Sequence, residues 1–369
     1  MARQVSHLIL GLGKGGAETM LYQILADQTD STLSYRVISL GASHYYEPKL
    51  HALGVDLVEL DLRKHPVKAL WGAYQTLRGA DTLCCWMYHA NFLGYFLGRL
   101  ARVPNLIWCI RHSSLDPKLN KKRTLQINAF CAKHSGKVSA IAYNGDCARA
   151  VHEAAGYCHE KGVVLDNGCD CGEYAPMENA KAQLQEELQL PRDKKIVVSV
   201  TKDHPIKDVP TFLAAFGALH KAAPDTVAVL CGIGIEPANE MLVADCAENG
   251  LTVGKDIFLL GLRHDVPVLL AACDLYVLHS AGEAFPNALL QAMSCGCLCL
   301  TTDVGDARRI LGQENYVVPT GDAETLCRKM QAMLSLPAET VDTMRTQNRA
   351  RVLESFDIHQ IVKDYEELF

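Results

Sequence analysis

The polar residues of segment 274–296 stand at spacings that could bind an anionic ligand. Glu283 follows an apolar run that predicts a strand, and Pro286 suits the first turn of the helix expected next. Asn287 and Gln291 are four residues apart, so their side chains share one face of that helix. The positive end of the helix dipole favours an anion such as a diphosphate. On spacing alone, Glu283 could instead be a helix-capping carboxylate, and Gln291 a solvated helix residue.

A glycine-rich loop near the N-terminus offers a second place for a phosphate. Residues 11–18 read Gly-Leu-Gly-Lys-Gly-Gly-Ala-Glu and lie between a predicted strand and a predicted helix. Glycines at such a junction let backbone amides approach a phosphate at the helix N-terminus. The loop does not make a dinucleotide-binding fingerprint, because the acidic residue required after the second strand is missing. A tight turn without a ligand is the alternative interpretation.

Polar side chains also follow two apolar strands in the N-terminal half. His89 comes shortly after the strand predicted over Thr82–Met87, and Arg111 and His112 stand at the end of the strand predicted over Leu106–Arg111. A doubly wound α/β fold binds ligands at the carboxyl ends of its strands, so these residues are candidates for substrate contacts. A single histidine is more often structural or solvated, and we interpret His89 mainly in that way.

The basic run Lys118–Arg123 stands where a further helix is predicted to begin. Its members Lys121 and Lys122 are candidates for contact with an anionic acceptor or with the surface of an anionic membrane. A solvated helix face explains the same run equally well.

The elements that must position these residues alternate between apolar strands and amphipathic helices along the whole chain. This pattern predicts the α/β class, with two doubly wound, Rossmann-like domains facing a central cleft. We expect an N-terminal domain over residues 1–175, a polar linker over residues 176–193 and a C-terminal domain over residues 194–352. Residues 353–369 are expected to form a C-terminal helix that packs back on the N-terminal domain.

Composition narrows the class of protein. The 369 residues are 49% hydrophobic and 21% charged, as in globular proteins, and no apolar stretch is long enough to span a bilayer. Fifteen cysteines lie mostly in apolar segments, which predicts buried free thiols in a reducing cytoplasm and no metal site. Residues 1–175 hold 19 Lys and Arg against 15 Asp and Glu, whereas residues 176–369 hold 17 against 27. An anionic partner is therefore expected on the N-terminal side, and nucleic acid is not.

Five segments, in order along nearly the whole chain, resemble glycosyltransferase family 4, a retaining family with the two-domain GT-B fold. Segment 274–296 resembles the family's E-x7-E region, and Gly15-Gly-Ala-Glu18 resembles its N-terminal Gly-Gly-Ala-Glu loop. The other matches are residues 165–170 with Ile-x-Asn-Gly-Val-Asp, residues 200–208 with Val-x-Arg-x-x-x-x-Lys-Asp, and residues 261–265 with Gly-x-x-x-Asp.

The resemblance implies a role for each residue that matches a motif. Lys202 and Lys207 would hold the diphosphate of a nucleotide-sugar donor, which needs no metal because two cations neutralise the charge that grows on the leaving group. Glu283 would contact the donor sugar, and position 291 the ribose. His112 would be the active-site histidine, so His112 and Glu283 are the catalytic predictions. The remaining donor-binding predictions are Gly15, Gly16, Arg263, Phe285, Pro286, Asn287 and Ala288. The acceptor-binding predictions are His89, Arg111, Lys121 and Lys122.

Two positions depart from the family pattern. Lys202 stands where arginine is usual, which replaces a bidentate fork by a point charge and should weaken orientation more than attraction. Gln291 stands where a second glutamate is usual, and an amide accepts hydrogen bonds more weakly than a carboxylate. These substitutions bear on nucleotide affinity and not on the fold.

The activity implied is the retaining transfer of a hexose or N-acetylhexosamine from a nucleotide-diphosphate sugar, expected to be UDP-linked. The acceptor would be a glycan or a polyprenyl-diphosphate-linked glycan in cell-surface polysaccharide synthesis. No cofactor is expected, and the enzyme is expected in the cytoplasm, in peripheral contact with the inner face of an anionic membrane. Two alternatives stay open. One is a sugar-nucleotide epimerase of the same architecture, and the other is a catalytically silent sugar-nucleotide-binding protein, which Gln291 suggests.

Overall fold

The computed structural model describes residues 2–41, 44–118 and 120–369. The chain divides into two compact units, Met1–Gly168 with Ile358–Phe369, and Cys169–Asp357. Each unit holds one parallel sheet with helices packed on it, which confirms the prediction of two doubly wound α/β domains. Within the described ranges, no helix is both long enough and apolar enough to cross a bilayer.

The first unit alternates strands and helices. Its elements in the first 164 residues are β1 (Arg3–Ile9), α1 (Gly16–Ala26), β2 (Leu33–Ser39), α2 (Glu47–Ala52), β3 (Asp56–Glu59), α3 (Pro66–Leu77), β4 (Thr82–Trp86), α4 (Met87–Ala101), β5 (Asn105–Ile110), α5 (Lys122–His134), β6 (Ala140–Tyr143), α6 (Asp146–Ala154) and β7 (Gly162–Val164). The strands form one parallel sheet in the order β3-β2-β1-β4-β5-β6-β7. The order reverses between β1 and β4, which is where doubly wound sheets bind ligands.

Strands β4 and β5 are apolar on both sides because helices cover both faces of this sheet. They read TLCCW and NLIWCI, without the polar alternation of a half-exposed strand. Cys84 and Trp86 pack into the cluster that contains α1, whereas Leu83 and Cys85 pack into the cluster that contains α3 and α4. The polar residues that follow these strands therefore lie at the carboxyl edge of a rigid sheet.

The second unit repeats the arrangement. Its elements are α7 (Ala180–Glu187), β8 (Lys195–Val200), α8 (Val209–Ala222), β9 (Thr226–Cys231), α9 (Glu240–Glu248), β10 (Ile257–Leu259), α10 (Val266–Ala272), β11 (Leu275–Leu278), α11 (Asn287–Ser294), β12 (Cys299–Thr302), α12 (Ala307–Leu311), β13 (Val317–Val318), α13 (Ala323–Leu334) and α14 (Ala338–Ser355). The parallel sheet has the order β10-β9-β8-β11-β12-β13, which reverses between β8 and β11.

The segment expected to be a linker, residues 176–193, belongs to the second unit. It contains α7, whose Ala180 and Leu184 are each 1% exposed in the core of that unit, and α7 packs on α10. These two side chains are four residues apart on one helical face, and the polar residues of the other face account for the linker-like composition. The second unit accordingly begins at Cys169 and not at residue 194.

The end of the chain is shared between the units. Helix α14 lies in the second unit, and α15 (Ile358–Leu368) lies in the first. Tyr365 is fully buried there, and the Glu366 carboxylate accepts hydrogen bonds from the backbone N–H and hydroxyl of Thr29 at 2.7 and 2.6 Å. The helix expected over residues 353–369 therefore starts at Ile358, after α14 has ended.

Candidate functional site

In the second unit, Lys207 and Glu283 meet at the carboxyl edge of the sheet. The Lys207 ammonium forms an ion pair with Oε1 of Glu283, and the Ser280 hydroxyl donates to the same oxygen at 2.8 Å. The side chain of Lys207 is 21% exposed and that of Glu283 is 14% exposed, so the pair is shielded from water only in part. The structure thus brings together two residues that the sequence proposed for donor binding.

His279 orders the backbone beneath this pair, and sequence reasoning missed it. Its Nδ1 lies 2.7 Å from the Lys207 carbonyl oxygen and its Nε2 lies 2.9 Å from the Ser199 hydroxyl. Burial lowers the pKa of His279 to about 4, so the ring is neutral at pH 7. Nδ1 therefore donates to the carbonyl, and Nε2 accepts from Ser199. A histidine at the end of an apolar strand was the available signal, but spacing could not reveal its partners.

Backbone contacts join the loops after β8, β11 and β12. The Ala281 N–H donates to the Ile206 carbonyl at 2.9 Å, and the Asp306 N–H donates to the Ala284 carbonyl at 3.1 Å. Gly305 has φ +49°, and a Cβ at that position would overlap the Ala284 carbonyl oxygen. Glycine is required for this approach, and the loop that carries Glu283 is held on both sides.

Lys202 lies on the same loop as Lys207 and is exposed. Its backbone is fixed by Gly232, which has φ +140° and where a Cβ would overlap the Thr201 carbonyl. The neighbouring Asp203 carboxylate accepts a hydrogen bond from the Asn239 amide at 2.8 Å. A rigid loop therefore presents an exposed lysine, and the donor contact of Lys202 stays a prediction.

Arg263 is engaged within the second unit. Its guanidinium donates to both oxygens of Asp265, at 2.7 and 2.6 Å, and to both oxygens of Glu187, at 2.5 and 3.1 Å. These hydrogen bonds raise the pKa of Arg263. Arg263 thus links the loop after β10 to α7. Its contact with the donor stays a prediction.

The predicted donor residues at the start of α11 divide into core and surface. Phe285 is buried and packs edge-to-face on Phe356, with ring centroids 5.9 Å apart. Pro286 is buried and is the N-cap, one position before the first helical turn in which the sequence predicted it. Asn287, Ala288 and Gln291 are half-buried, and Ala288 packs against the core of the unit.

In the first unit, the glycine loop ends in a tight helix start. Gly15 is the N-cap of α1 and Gly16 its first residue, and the Gly15 carbonyl accepts from the backbone N–H and hydroxyl of Thr19 at 2.9 and 2.8 Å. A Cβ on Gly15 would overlap the Glu18 carboxylate, so this position must be glycine or the carboxylate must move. Burial raises the pKa of Glu18. Glu18 ends the Gly-Gly-Ala-Glu motif but is not among the site residues predicted from the sequence.

His112 is half-buried after β5, and burial lowers its pKa. The ring of Tyr88 meets it edge-on, with centroids 6.4 Å apart, and the Tyr88 hydroxyl lies 2.7 Å from Nε2 of His152. His152 is buried with its pKa lowered to about 4 and bonds the Ala148 carbonyl through Nδ1, so Nε2 accepts from Tyr88. Tyr88 and His152 thus support the predicted catalytic histidine, and spacing gave no sign of either.

Arg111 fastens the C-terminal helix of the first unit. Its guanidinium donates to the Tyr365 hydroxyl at 2.5 Å and to the Asn167 side-chain oxygen, and it lies over the Trp86 ring, 5.4 Å from the centroid. The residue is only 9% exposed. Its observed role is structural, and an acceptor contact stays a prediction.

The other predicted acceptor residues stand at two helix starts. His89 is half-buried in the first turn of α4, and its pKa is lowered by burial and by the nearby Arg123. Lys121 is the N-cap of α5 and Lys122 its first residue, and both are exposed. Leu119, within the predicted basic run, lies outside the described residues.

One group of side chains in the described ranges has atoms near enough to share a cation. His44, Glu47 and Glu59 each offer a ligand atom within 4.8 Å of the others. His44 and Glu59 are exposed, and Nδ1 of His44 already pairs with Glu47. The group belongs to the start of α2 and the end of β3, and none of the predicted site residues is among its members.

Comparison with known proteins finds relatives of the sequence. Residues 180–351 match the family described as Glycosyl transferases group 1. The chain is 25% identical to UDP-Gal:alpha-D-GlcNAc-diphosphoundecaprenol alpha-1,3-galactosyltransferase of Escherichia coli over 289 residues. The aligned region covers 76% of this chain and 72% of that relative. It is 28% identical to N-acetyl-alpha-D-glucosaminyl L-malate synthase of Bacillus anthracis over 189 residues, and this aligned region covers 51% of this chain and 48% of that relative.

Solved structures share the fold. The chain is similar to Anabaena HepE, crystallised in complex with UDP and glucose, with a TM-score of 0.86 at 20% identity over 99% of this chain and 98% of that one. It is also similar to WaaG, a glycosyltransferase involved in lipopolysaccharide biosynthesis, with a TM-score of 0.74 at 16% identity over 99% of each chain. At these identities the likeness concerns the fold, and it confirms the GT-B architecture.

Proposed function

Because residues 180–351 of this chain are a glycosyltransferase domain of the group 1 family, we propose that the protein transfers a hexose or N-acetylhexosamine from a UDP-linked donor with retention of configuration. The acceptor in this proposal is a glycan or a polyprenyl-diphosphate-linked glycan of a cell-surface polysaccharide. The reaction takes place in the cytoplasm and needs no metal. The observation that carries the proposal is the Lys207–Glu283 pair, held at the switch point of the second sheet.

The pair suits a donor that is both a diphosphate and a sugar. Lys207 and Glu283 satisfy one another in a site that is only partly open to water. An incoming diphosphate competes for the ammonium, which leaves the carboxylate to accept hydrogen bonds from sugar hydroxyls. Lys202 adds a second, exposed cation from the same loop. Two ammonium groups then stabilise the charge that grows on the leaving diphosphate, which is the part a metal ion plays elsewhere.

Retention follows most simply from a same-face reaction. The bond between the anomeric carbon and the diphosphate oxygen breaks, and the acceptor oxygen bonds to the same face of that carbon. The acceptor proton passes to the departing phosphate oxygen. This route needs no second carboxylate placed as in the retaining glycosidases. We assign His112 to the surroundings of the donor sugar, since its lowered pKa keeps it neutral and able to accept or donate a hydrogen bond.

The relatives support the expected UDP-linked donor and lipid-linked acceptor. The Escherichia coli relative is named for a UDP-galactose donor and a diphosphoundecaprenol-linked acceptor, and the Anabaena structure contains UDP. On our chain, the acceptor is assigned to the first unit, at His89, Lys121 and Lys122. A lipid-linked acceptor also brings the enzyme to the membrane surface.

A transfer assay tests the proposal. The full chain is incubated with UDP-glucose, UDP-galactose or UDP-N-acetylglucosamine and a panel of polyprenyl-diphosphate-linked acceptors, in the presence of EDTA. The proposal predicts an extended acceptor and one equivalent of UDP. Release of UDP without any acceptor would support an epimerase of this architecture. A UDP-dependent rise in melting temperature without any turnover would support a silent sugar-nucleotide-binding protein.

A further inference from the structure

Helices α3 and α4 of the first unit together carry four large apolar side chains that are exposed. Helix α3 packs on α4, and α4 packs on α5. Val67 and Trp71 on α3 are 81% and 61% exposed, and Phe96 and Leu100 on α4 are 50% and 65% exposed. Apolar groups of this size at the surface of adjacent helices mark an interaction site more often than chance.

These side chains point away from the core, because other residues of the same helices fill it. Helix α3 buries Ala69, Ala73 and Leu77, so Val67 and Trp71, four residues apart, share the opposite side. The matching face of α4 is set by two glycines that meet the sheet: a Cβ on Gly94 would overlap the sulfur of Cys85, and one on Gly98 would lie 3.0 Å from the Leu83 side chain.

The aromatic surface is continuous from α4 to α5. The ring centroids of Phe92 and Phe96 are 5.3 Å apart, those of Phe92 and Phe130 are 4.9 Å apart, and those of Phe96 and Phe130 are 5.5 Å apart. On α3, Trp71 contacts Tyr74 at 5.3 Å. Trp71 and Phe96 are therefore the exposed members of packed aromatic groups, and not isolated side chains.

The same three helices carry positive charge alone. Their sequences, PVKALWGAYQTL, MYHANFLGYFLGRLA and KRTLQINAFCAKH, contain no aspartate or glutamate. Their basic residues are Lys68, Arg99, Lys122, Arg123 and Lys133, all of them exposed. Apolar and aromatic side chains together with cations, and without anions, match the boundary between lipid headgroups and acyl chains.

We propose that the exposed side of α3, α4 and α5, here called the α3–α5 surface, docks on an anionic lipid bilayer, with Trp71 and Leu100 inserted at the interface. Lys68, Arg99 and Lys133 contact lipid phosphates around this apolar centre. This relocates the membrane contact from the run at Lys118–Arg123, which supplies only the cations at the start of α5. The proposal rests on the proposed function in one respect: a lipid-linked acceptor requires the enzyme to work at the membrane surface.

The tryptophans of the chain make the test specific. The protein has three, and Trp86 and Trp108 are both fully buried. The fluorescence change on vesicle binding therefore reports Trp71. We expect a blue shift with vesicles of phosphatidylglycerol and phosphatidylethanolamine, quenching when the lipids carry bromine on the acyl chains, and neither effect with pure phosphatidylcholine. Trp71→Phe should abolish both signals.

Flotation with the same vesicles supplies the quantitative test. Trp71→Ser with Leu100→Ser should reduce the bound fraction at least tenfold, and Lys68→Glu with Arg99→Glu should do so at low salt. The matched control is Met241→Ser with Leu353→Ser, which removes two side chains that are 76% and 45% exposed in the second unit and should bind as the native chain does. The UDP-dependent rise in melting temperature, measured without lipid, should be the same in all variants. This measurement tests UDP binding independently of membrane binding, so a failure of one proposal can be told from a failure of the other.

Three results would overturn the proposal. One is that vesicles neither shift nor quench the fluorescence of the native chain. Another is that the Trp71 and Leu100 double variant floats as well as the native chain, which would place the contact elsewhere. The last is that the native chain sediments as a dimer and does not bind vesicles, while the same double variant sediments as a monomer. That result would make the surface a contact between two copies of the chain.

Discussion

The Lys207 ammonium and the Glu283 carboxylate pair across 76 residues of sequence, because the loops after β8 and β11 are neighbours at the carboxyl edge of the second sheet. Neither residue is placed by its own loop alone. His279 binds the Lys207 carbonyl from below, and Ser280 donates to Glu283 from the side. A site held in this way is prepared for a charged ligand before the ligand arrives, which is the condition for effective electrostatic stabilisation.

Replacing Lys207 should impair turnover far more than stability. Lys207→Ala removes a positioned cation, and we expect turnover to fall on the order of a hundredfold, as for the loss of one preorganised charge-stabilising group. Steady-state kinetics with a UDP-sugar measures it. Lys255→Ala is the matched control, since Lys255 is exposed just before β10, at the opposite edge of the sheet. Equal activity in the two variants would remove Lys207 from the diphosphate site.

Glu283→Gln should separate sugar binding from nucleotide binding. The amide keeps the shape of the side chain but loses the charged acceptor, and hydrogen bonds to charged groups contribute about 1.5–3 kcal/mol, so turnover should fall roughly tenfold or more. The affinity for UDP alone should change little, as measured by calorimetric titration. A large loss of UDP affinity, or a collapse of the melting temperature, would favour the helix-capping interpretation of Glu283.

Stability should decrease in acid, because His279 is buried and neutral. Its ordinary pKa of 6.5 falls to about 4 in the folded unit, so below pH 6.5 the unfolded chain binds a proton that the folded chain does not. The stabilisation is complete above pH 6.5 and is lost as the pH falls toward 4, by about 1.4 kcal/mol per pH unit for one such group.

Urea unfolding at pH 7, 6 and 5 measures how the free energy of unfolding depends on pH. In His279→Asn this dependence should be weaker, because about one proton fewer is bound on unfolding. His152, whose pKa is also lowered to about 4, keeps its own contribution in that variant. Parallel slopes in the two proteins would show that His279 is not neutral and buried in solution.

Gln291→Glu tests the departure at the second position of the E-x7-E pattern. If residue 291 holds ribose hydroxyls, a carboxylate should tighten UDP binding by about 0.5–1.5 kcal/mol, the usual gain from charging one partner of a hydrogen bond. The nearby diphosphate repels the new charge and limits the gain. Calorimetric titration of UDP into both forms gives the difference. Identical affinities would leave Gln291 a half-buried helix residue without a part in binding.

The sequence was sufficient for the regular elements and for the central pair. The strand predicted over Thr82–Met87 is observed as β4 over Thr82–Trp86, and the strand predicted over Leu106–Arg111 is observed as β5 over Asn105–Ile110. Both were predictable because each is an apolar run with a clear start and end. Lys207 and Glu283 could be proposed together because both stand in segments that resemble motifs of one family. Short strands such as β7 and β13 were missed, since two or three residues carry no periodicity.

What the sequence could not provide are the tertiary partners. Nothing in the local pattern joins Arg111 to Tyr365, which is 254 residues away. The polar composition of α7 concealed that Leu184 is buried. The exposure of Trp71 is likewise decided by which face of α3 meets the core, and a tryptophan in an amphipathic helix is expected to be inside. Each of these facts depends on packing between distant segments.

The anomeric configuration of the product tests the central claim most directly. The full chain is supplied with a UDP-α-sugar and a polyprenyl-diphosphate-linked acceptor in EDTA, and the new linkage is assigned by NMR from its anomeric coupling. We predict an α-linked product, formed at the same rate with and without EDTA. A β-linked product, or transfer that appears only when a divalent metal is added, would contradict the account.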